Sequence, residues 1–105
     1  MFQLRIYTLR SPGALQRYAT VHWARHLATF QTFGVRTHGV WTERSGTANR
    51  LVALIRYPAG TDPEQLAQRI MSSPEFVADM AGFDVGEIVD VETKLLDATR
   101  FSPIH

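Results

Sequence analysis

The sequence predicts an α+β fold, with a ferredoxin-like βαββαβ order of elements and one antiparallel four-stranded sheet. Three observations lead to this prediction. Alternating polar and apolar residues, typical of strands, occupy both ends of the chain. A long stretch of helical period separates the first strand from the second, and a second helical region precedes the last strand. Right-handed crossovers then place the helices on one face, with the first strand between the third and the fourth.

The composition is that of a single domain covering residues 1–105. The chain is 45% hydrophobic, enough for one core, and it has no cysteine. The lack of cysteine excludes a disulfide framework, a thiolate metal site and a cysteine nucleophile, and it fits a cytoplasmic location. A net charge of +1 argues against nucleic acid as a partner. No apolar run approaches the ~20 residues of a membrane span, so no membrane association is expected.

The first half of the chain predicts a strand, a long helix and a second strand. Residues 2–9 alternate with period two, and Ser11-Pro12-Gly13 ends the strand. From Ala14 to Phe33 the apolar residues recur at helical spacing, which predicts a helix of about five turns. Gly34 follows as a suitable helix terminator. Val35 to Thr42 then predicts the second strand.

The second half predicts two further strands with short helices between them. Arg50 to Tyr57 is apolar on both faces, which favours a central strand. Two dipeptides combine a helix-capping residue with a proline suited to the first helical position: Asp62-Pro63 and Ser73-Pro74. Each of them predicts the start of a helix. Ile88 to Leu96 predicts the last strand, and residues 97–105 an irregular tail.

The face of the sheet away from the helices is expected to be covered. A solvated face would alternate more cleanly than the third and last strands do, so face-to-face pairing of two sheets in a homodimer is predicted. RNA is the competing partner for such a face. RNA-recognition domains of this topology stack bases on exposed aromatics of the middle strands, and residues 51–55 contain none.

His22 and His26 are the most informative pair for function. Both project onto the middle of the apolar face of the long helix, so both are expected to point towards the sheet. Burying an imidazole is costly unless it is hydrogen-bonded or lines a polar cavity, which leaves a packed histidine and a pocket histidine as alternatives. Their spacing could also hold a metal, but the third ligand would have to come from a distant residue and no metal is predicted.

Arg5 and Tyr7 share one face of the first strand. Glu92 or Asp90 could lie opposite Arg5 as a cross-strand ion pair. Alternatively, the planar guanidinium could hold a substrate carboxylate or enolate. The sequence contains no Ser-His-Asp order, phosphate-binding loop or dinucleotide fingerprint, so hydrolase, kinase and Rossmann functions are not supported.

His38 and Trp41 are predicted to lie on opposite faces of the second strand. His38 is either a pocket residue or an edge-strand surface residue. Trp41 is either a pocket residue or a filler of the core or of the dimer interface.

Several segments in a fixed order resemble those of a known family: Leu4-Arg5-Ile6-Tyr7-Thr8-Leu9 to Pro12-Gly13, Phe33-Gly34 into Gly39-Val40-Trp41-Thr42, Asn49, Arg56-Tyr57, and Glu92-Thr93-Lys94-Leu95-Leu96 to Phe101-Ser102-Pro103. The resemblance is to the NIPSNAP family, within the dimeric α+β barrel superfamily, and spans essentially the whole chain. It implies a homodimer of ferredoxin-like units with facing sheets. Similar barrels include cofactor-independent monooxygenases of polyketide biosynthesis, haem-degrading enzymes, isomerases and cyclases, several with a pocket between helices and sheet.

Two functions are therefore considered. The first is a small-molecule enzyme, a cofactor-independent monooxygenase, isomerase or cyclase for an aromatic or polyketide-like substrate. A neutral imidazole would abstract a proton and Arg5 would stabilise the oxyanion. The second is a non-catalytic ligand-binding or protein-interaction module. The catalytic candidates are His26, His22 and Arg5, and the pocket candidates are Tyr7, Tyr18, Trp23, His38, Trp41 and Glu92.

Overall fold

The computed structural model describes residues 1–104. The strands are β1 (Phe2–Leu9), β2 (Arg36–Thr42), β3 (Asn49–Arg56) and β4 (Ile88–Leu96). They form one sheet in the order β2-β3-β1-β4, and every neighbouring pair is antiparallel. The predicted α+β, ferredoxin-like fold is thus confirmed, including the place of β1 between β3 and β4.

The helices are α1 (Pro12–Arg17), a π-helical turn (Tyr18–His22), α2 (Trp23–Thr32), α3 (Pro63–Met71) and α4 (Pro74–Asp79). The predicted long helix is present, but the π-helical turn lies in its middle, where the Trp23 N–H bonds to the Tyr18 carbonyl. Such a turn takes one residue more than an α-helical turn and rotates the side chains that follow. Within residues 1–104, none of the helices has both the length and the hydropathy needed to cross a membrane.

The predicted helix starts are confirmed by their caps. The Asp62 carboxylate accepts hydrogen bonds from the backbone N–H groups of Glu64 and Gln65, at 3.0 and 3.4 Å. The Ser73 hydroxyl accepts from the Phe76 N–H at 3.2 Å. These bonds satisfy donors that the first helical turn leaves free, so the two short helices begin where the sequence directs.

The core lies between the helices and one face of the sheet. On β3 the helix-facing residues Leu51, Ala53 and Ile55 are almost completely buried. Val52 and Leu54 face the other way and are only half-buried. The two apolar faces of β3 therefore differ: the helices cover one, and no element within residues 1–104 fully covers the other.

A bulge in β2 corrects one prediction. The pairing of β2 with β3 shifts between Thr37 and Gly39, which inserts His38 as an extra residue. The His38 ring contacts Phe2 on the helix-free face, with 5.3 Å between ring centroids. Trp41 lies on this same face, with its indole over Gly39, where a Cβ would collide with the ring. The two side chains are not on opposite faces, because the inserted residue breaks the alternation.

A pair of leucine substitutions tests this difference between the two faces. We expect Leu51→Ala to lower the free energy of unfolding by about 2–5 kcal/mol, because it leaves a cavity in a packed core. Leu54→Ala is the matched control on the same strand and is expected to cost less. Urea unfolding of both variants measures the difference. Equal losses at low protein concentration would contradict the one-sided core.

Candidate functional site

A pocket of about 830 Å³ lies between the helices and the β1–β4 half of the sheet. Its sheet wall consists of alternate residues of the two strands: Gln3, Arg5, Tyr7, Val91, Thr93 and Leu95. Its helix wall includes Tyr18, Glu64, Gln68, Met71, Phe76 and Met80. The pocket exists because the helices do not extend over β4, whose helix-side valine and leucine are about half exposed.

Arg5 is the cation on the pocket wall. Its side chain is buried, with a relative exposure of 8%. The Nε–H donates to the Gln3 Oε1 at 2.8 Å, Nη1 donates to the Tyr7 hydroxyl at 3.2 Å, and Nη2 donates to the Tyr57 hydroxyl at 3.0 Å. The Tyr57 hydroxyl in turn donates to Gln3 at 2.8 Å. Three neutral oxygens thus hold the guanidinium in place.

No ion pair involving Arg5 is formed by the residues that the structure describes. The predicted cross-strand pairing with Glu92 or Asp90 is wrong, because the strand register places Thr93 opposite Arg5. Glu92 lies opposite Ile6 on the helix-free face and is 3.6 Å from the Lys94 ammonium. The pocket therefore contains a buried positive charge that forms no ion pair within residues 1–104.

The surroundings of Arg5 keep it charged. Burial by itself would lower the pKa of Arg5, but interactions with the Tyr7 and Tyr57 hydroxyls outweigh this effect and raise the pKa overall. The guanidinium also lies over the ring of Phe30, with 5.6 Å from Cζ to the ring centroid. The negative face of that ring stabilises the cation from the side of the core.

Tyr18 contributes a phenol to the helix wall of the pocket. Burial raises the pKa of Tyr18 above its ordinary value, with contributions from the neighbouring Tyr7. The rings of the two tyrosines meet edge to face, with 5.3 Å between centroids. Tyr18 therefore stays protonated at neutral pH and is a hydrogen-bond donor rather than a base.

His22 and His26 are both turned inward, as predicted, and each is 1% exposed. Both bind Asp79, the last residue of α4. His26 Nδ1–H donates to the Asp79 carboxylate at 3.0 Å, and His22 Nδ1–H donates to the Asp79 backbone carbonyl at 2.8 Å. The Arg25 guanidinium reaches the same carbonyl at 3.2 Å. A carboxylate and a carbonyl can only accept hydrogen bonds, so each of the two imidazoles carries a proton on its Nδ1.

The structure places the two histidines behind the pocket wall rather than on it. Phe76 lines the pocket and stacks on the His26 ring, with 4.7 Å between centroids and 2° between planes. Tyr18 lines the pocket in front of His22, with 6.4 Å between their ring centroids. The expectation that the imidazoles face a ligand is corrected, because α4 docks on the helix through them.

The Nε2 atoms of both imidazoles have no hydrogen-bond partner among the described residues. Burial lowers the pKa of His26, although the nearby Asp79 carboxylate opposes that effect. His26 is thus neutral at pH 7.

Sequence reasoning missed Gln3 and Tyr57, which hold the guanidinium, and it also missed Asp79. Asp79 lies three residues after Phe76 and one before Met80, so a carboxylate shares the apolar stripe of a short helix. This anomaly is the signal that could have revealed it.

The pocket candidates divide into three groups. The structure places Tyr7 and Tyr18 on the wall. Trp23 is buried in the core, with its ring 6.0 Å from that of Tyr7, while His38, Trp41 and Glu92 belong to the helix-free face. Within residues 1–104, no three His, Asp or Glu side chains are grouped closely enough to hold a metal ion.

The family model named NIPSNAP matches residues 2–103. The chain belongs to the NIPSNAP family. Solved NIPSNAP structures share its fold. One is a domain protein from Burkholderia xenovorans described as uncharacterized, with a TM-score of 0.76, 22% identity and 97% coverage of both chains. Another is a protein of unknown function from Agrobacterium tumefaciens, with a TM-score of 0.80 and 21% identity, covering 99% of this chain and 92% of the other.

No curated protein sequence matches the chain significantly. At these identities the solved NIPSNAP structures establish the fold alone. The function of this NIPSNAP chain therefore has to be argued from its own pocket.

The buried His26 predicts a pH-dependent stability. Its folded-state pKa is lowered, so the unfolded chain, with an ordinary value of about 6.5, binds the proton first. We expect the free energy of unfolding to fall as the pH drops below about 6.5 towards the folded-state value. Urea unfolding between about pH 7.5 and 5.5 measures this loss, in a range where most carboxylates remain ionised.

His26→Gln is the comparison variant and should lose that part of the slope. An NMR titration of the His26 ring in the native protein gives an independent check. A midpoint above about 6.5 would contradict the lowered pKa.

Proposed function

We propose that this NIPSNAP protein is a small-molecule enzyme acting on an aromatic or polyketide-like substrate in the helix–sheet pocket. The observation that carries the proposal is Arg5, a buried cation on the wall of a pocket of about 830 Å³. The hydrogen-bond partners of Arg5 are all neutral. A substrate that develops an oxyanion would supply the missing negative charge. The apolar side chains of both walls suit an aromatic body.

The proposed role of Arg5 is to stabilise the ionised form of an enol or a 1,3-diketone. The substrate loses a proton from carbon or oxygen, the electron pair delocalises onto its oxygens, and the proton passes to solvent through the open side of the pocket. Arg5 is fixed by Gln3, Tyr7 and Tyr57 before the substrate arrives, so little reorganisation is needed as charge develops. The protonated phenol of Tyr18 is a second donor, on the helix wall of the pocket.

Isomerisation and cyclisation both proceed through such an anion, and monooxygenation does so with dioxygen as co-substrate. The proposal requires no metal or organic cofactor. His22, His26 and Asp79 act in it as positioning residues, because they hold α4, and with it Phe76, against the long helix.

Benzoylacetone, an aromatic 1,3-diketone, tests the enzyme proposal. The enolate has its own near-ultraviolet absorbance, and deuterium exchange at the central carbon reports proton abstraction. We expect the protein to lower the apparent pKa of the bound diketone and to accelerate the exchange. A charged hydrogen bond contributes about 1.5–3 kcal/mol, so Arg5→Met should weaken enolate binding by roughly 10- to 100-fold.

Arg44→Met, which removes an exposed arginine from the β2–β3 loop, is the matched control and should change neither quantity. Binding that neither lowers the pKa of the diketone nor accelerates the exchange would overturn the enzyme proposal in favour of a non-catalytic ligand-binding or protein-interaction module. No binding at all would overturn both small-molecule functions.

We also propose that the working unit is a homodimer formed through the helix-free sheet faces. That face presents a continuous set of partly exposed apolar side chains from all four strands: Leu4, Ile6, Trp41, Val52, Leu54 and Leu96. Pairing two such faces would remove them from water and would leave the pocket, on the opposite face, open to ligand.

Sedimentation measures this assembly. We expect a dimer for the native chain and a monomer for Val52→Asp, which places a charge in the centre of the proposed interface. Val77→Asp introduces the same charge on the exposed side of α4 and should leave the dimer intact. A monomeric native chain at micromolar concentration would contradict the proposed dimer.

A further inference from the structure

We propose that the pocket takes monoanionic carboxylates with an apolar body, and that the neutral side chain of Gln3 determines this charge specificity. This inference rests on the proposed function, because it uses the same pocket. It adds the chemical class of the ligand and a specificity residue that contributes no charge of its own.

The hydrogen bonds of Arg5 point to a two-oxygen anion. A guanidinium has five N–H groups, one on Nε and two on each terminal nitrogen. The Gln3 oxygen uses the Nε–H, while the Tyr7 and Tyr57 hydroxyls use one N–H each of Nη1 and Nη2. One N–H on each terminal nitrogen remains without a partner among the described residues. Two donors on adjacent nitrogens match the two oxygens of a carboxylate.

The charges along the pocket select a single negative group. Arg5 and Glu64 are the charged side chains that line it. Arg5 is buried in the sheet wall, whereas Glu64 is exposed in the first turn of α3. One carboxylate can neutralise Arg5, but a second one on the same ligand would find no further cation among the residues that line the pocket.

Gln3 decides whether the charge of Arg5 is available to a ligand. Its Oε1 lies 2.8 Å from Arg5 Nε and 2.8 Å from the Tyr57 hydroxyl, so it completes the support of the guanidinium without neutralising it. A glutamate in this place would keep the same acceptor oxygen and add a counter-charge in direct contact. The electrostatic attraction for a ligand anion would then be largely cancelled.

The body of the ligand is expected to be apolar. Val91 and Leu95 form the sheet side of the pocket beyond Arg5, and Met71, Phe76 and Met80 form the helix side. Flexible thioethers and an aromatic ring adapt to apolar groups of varied shape, so the body is less strictly selected than the anionic head.

The test compares cinnamate with cinnamamide, which has nearly the same shape but no charge, by isothermal titration calorimetry. For the native chain we expect cinnamate to bind at least about tenfold more tightly than cinnamamide. Gln3→Glu should remove this preference: the binding of cinnamate should weaken by about tenfold or more, and the binding of cinnamamide should not change. Gln68→Glu is the matched control, because it adds the same charge at an exposed position on the pocket wall. It should change the preference by less than about threefold.

Arg5→Lys keeps the charge but loses the planar pair of donors. It should retain a preference for cinnamate, but a smaller one than that of the native chain. This variant keeps the proposal testable if Gln3→Glu does not fold, which a melting curve of each variant determines.

Equal binding of cinnamate and cinnamamide by the native chain would overturn the inference, and so would an unchanged preference in a folded Gln3→Glu variant. If exchange on benzoylacetone remains dependent on Arg5 in either case, the enzyme proposal stands and only the carboxylate specificity fails. A preference for cinnamate that depends on Gln3, without faster exchange on benzoylacetone, would support the inference and overturn the enzyme proposal.

Discussion

The buried guanidinium of Arg5 is the constraint on which the site depends. A cation removed from water loses much of its solvation energy and needs compensation from the protein. Here three neutral oxygens and an aromatic face supply it, whereas a protein carboxylate does not. Hydrogen bonds of this kind fix the orientation of the group but leave its net charge in place. The pocket beside it is therefore polarised before any ligand enters.

A second network gives the pocket its helical wall. The short helix α4 begins at a serine cap and ends at Asp79, whose carboxylate and carbonyl are held by His26 and His22. Both imidazoles lie on the helix that contains the π-helical turn, so α4 packs beside that turn. Phe76 stacks on His26 and presents its other side to the pocket. Titratable groups that resemble catalytic residues in the sequence thus form the support of the wall.

The two faces of the sheet have different chemistry because the alternation along each strand separates them. On β1, Gln3, Arg5 and Tyr7 face the helices, while the residues between them face away. The polar groups of the pocket therefore lie on one face. The other face combines the half-buried apolar residues of β1 and β3 with charged residues of β4. The pocket and the proposed subunit interface therefore use different residues of one small sheet.

The sequence by itself determined the order of strands and helices, the capped helix starts and the inward direction of His22 and His26. These features follow from local periodicity, turn chemistry and caps, which depend on neighbouring residues. Only the tertiary structure decided that Arg5 lies opposite Thr93 and not opposite Glu92, because a register shift of one residue exchanges the two. The bulge at His38 and the meeting of Asp79 with His26, which are 53 residues apart, are equally invisible to local patterns. Such contacts depend on how distant segments pack, and packing is a property of the whole chain.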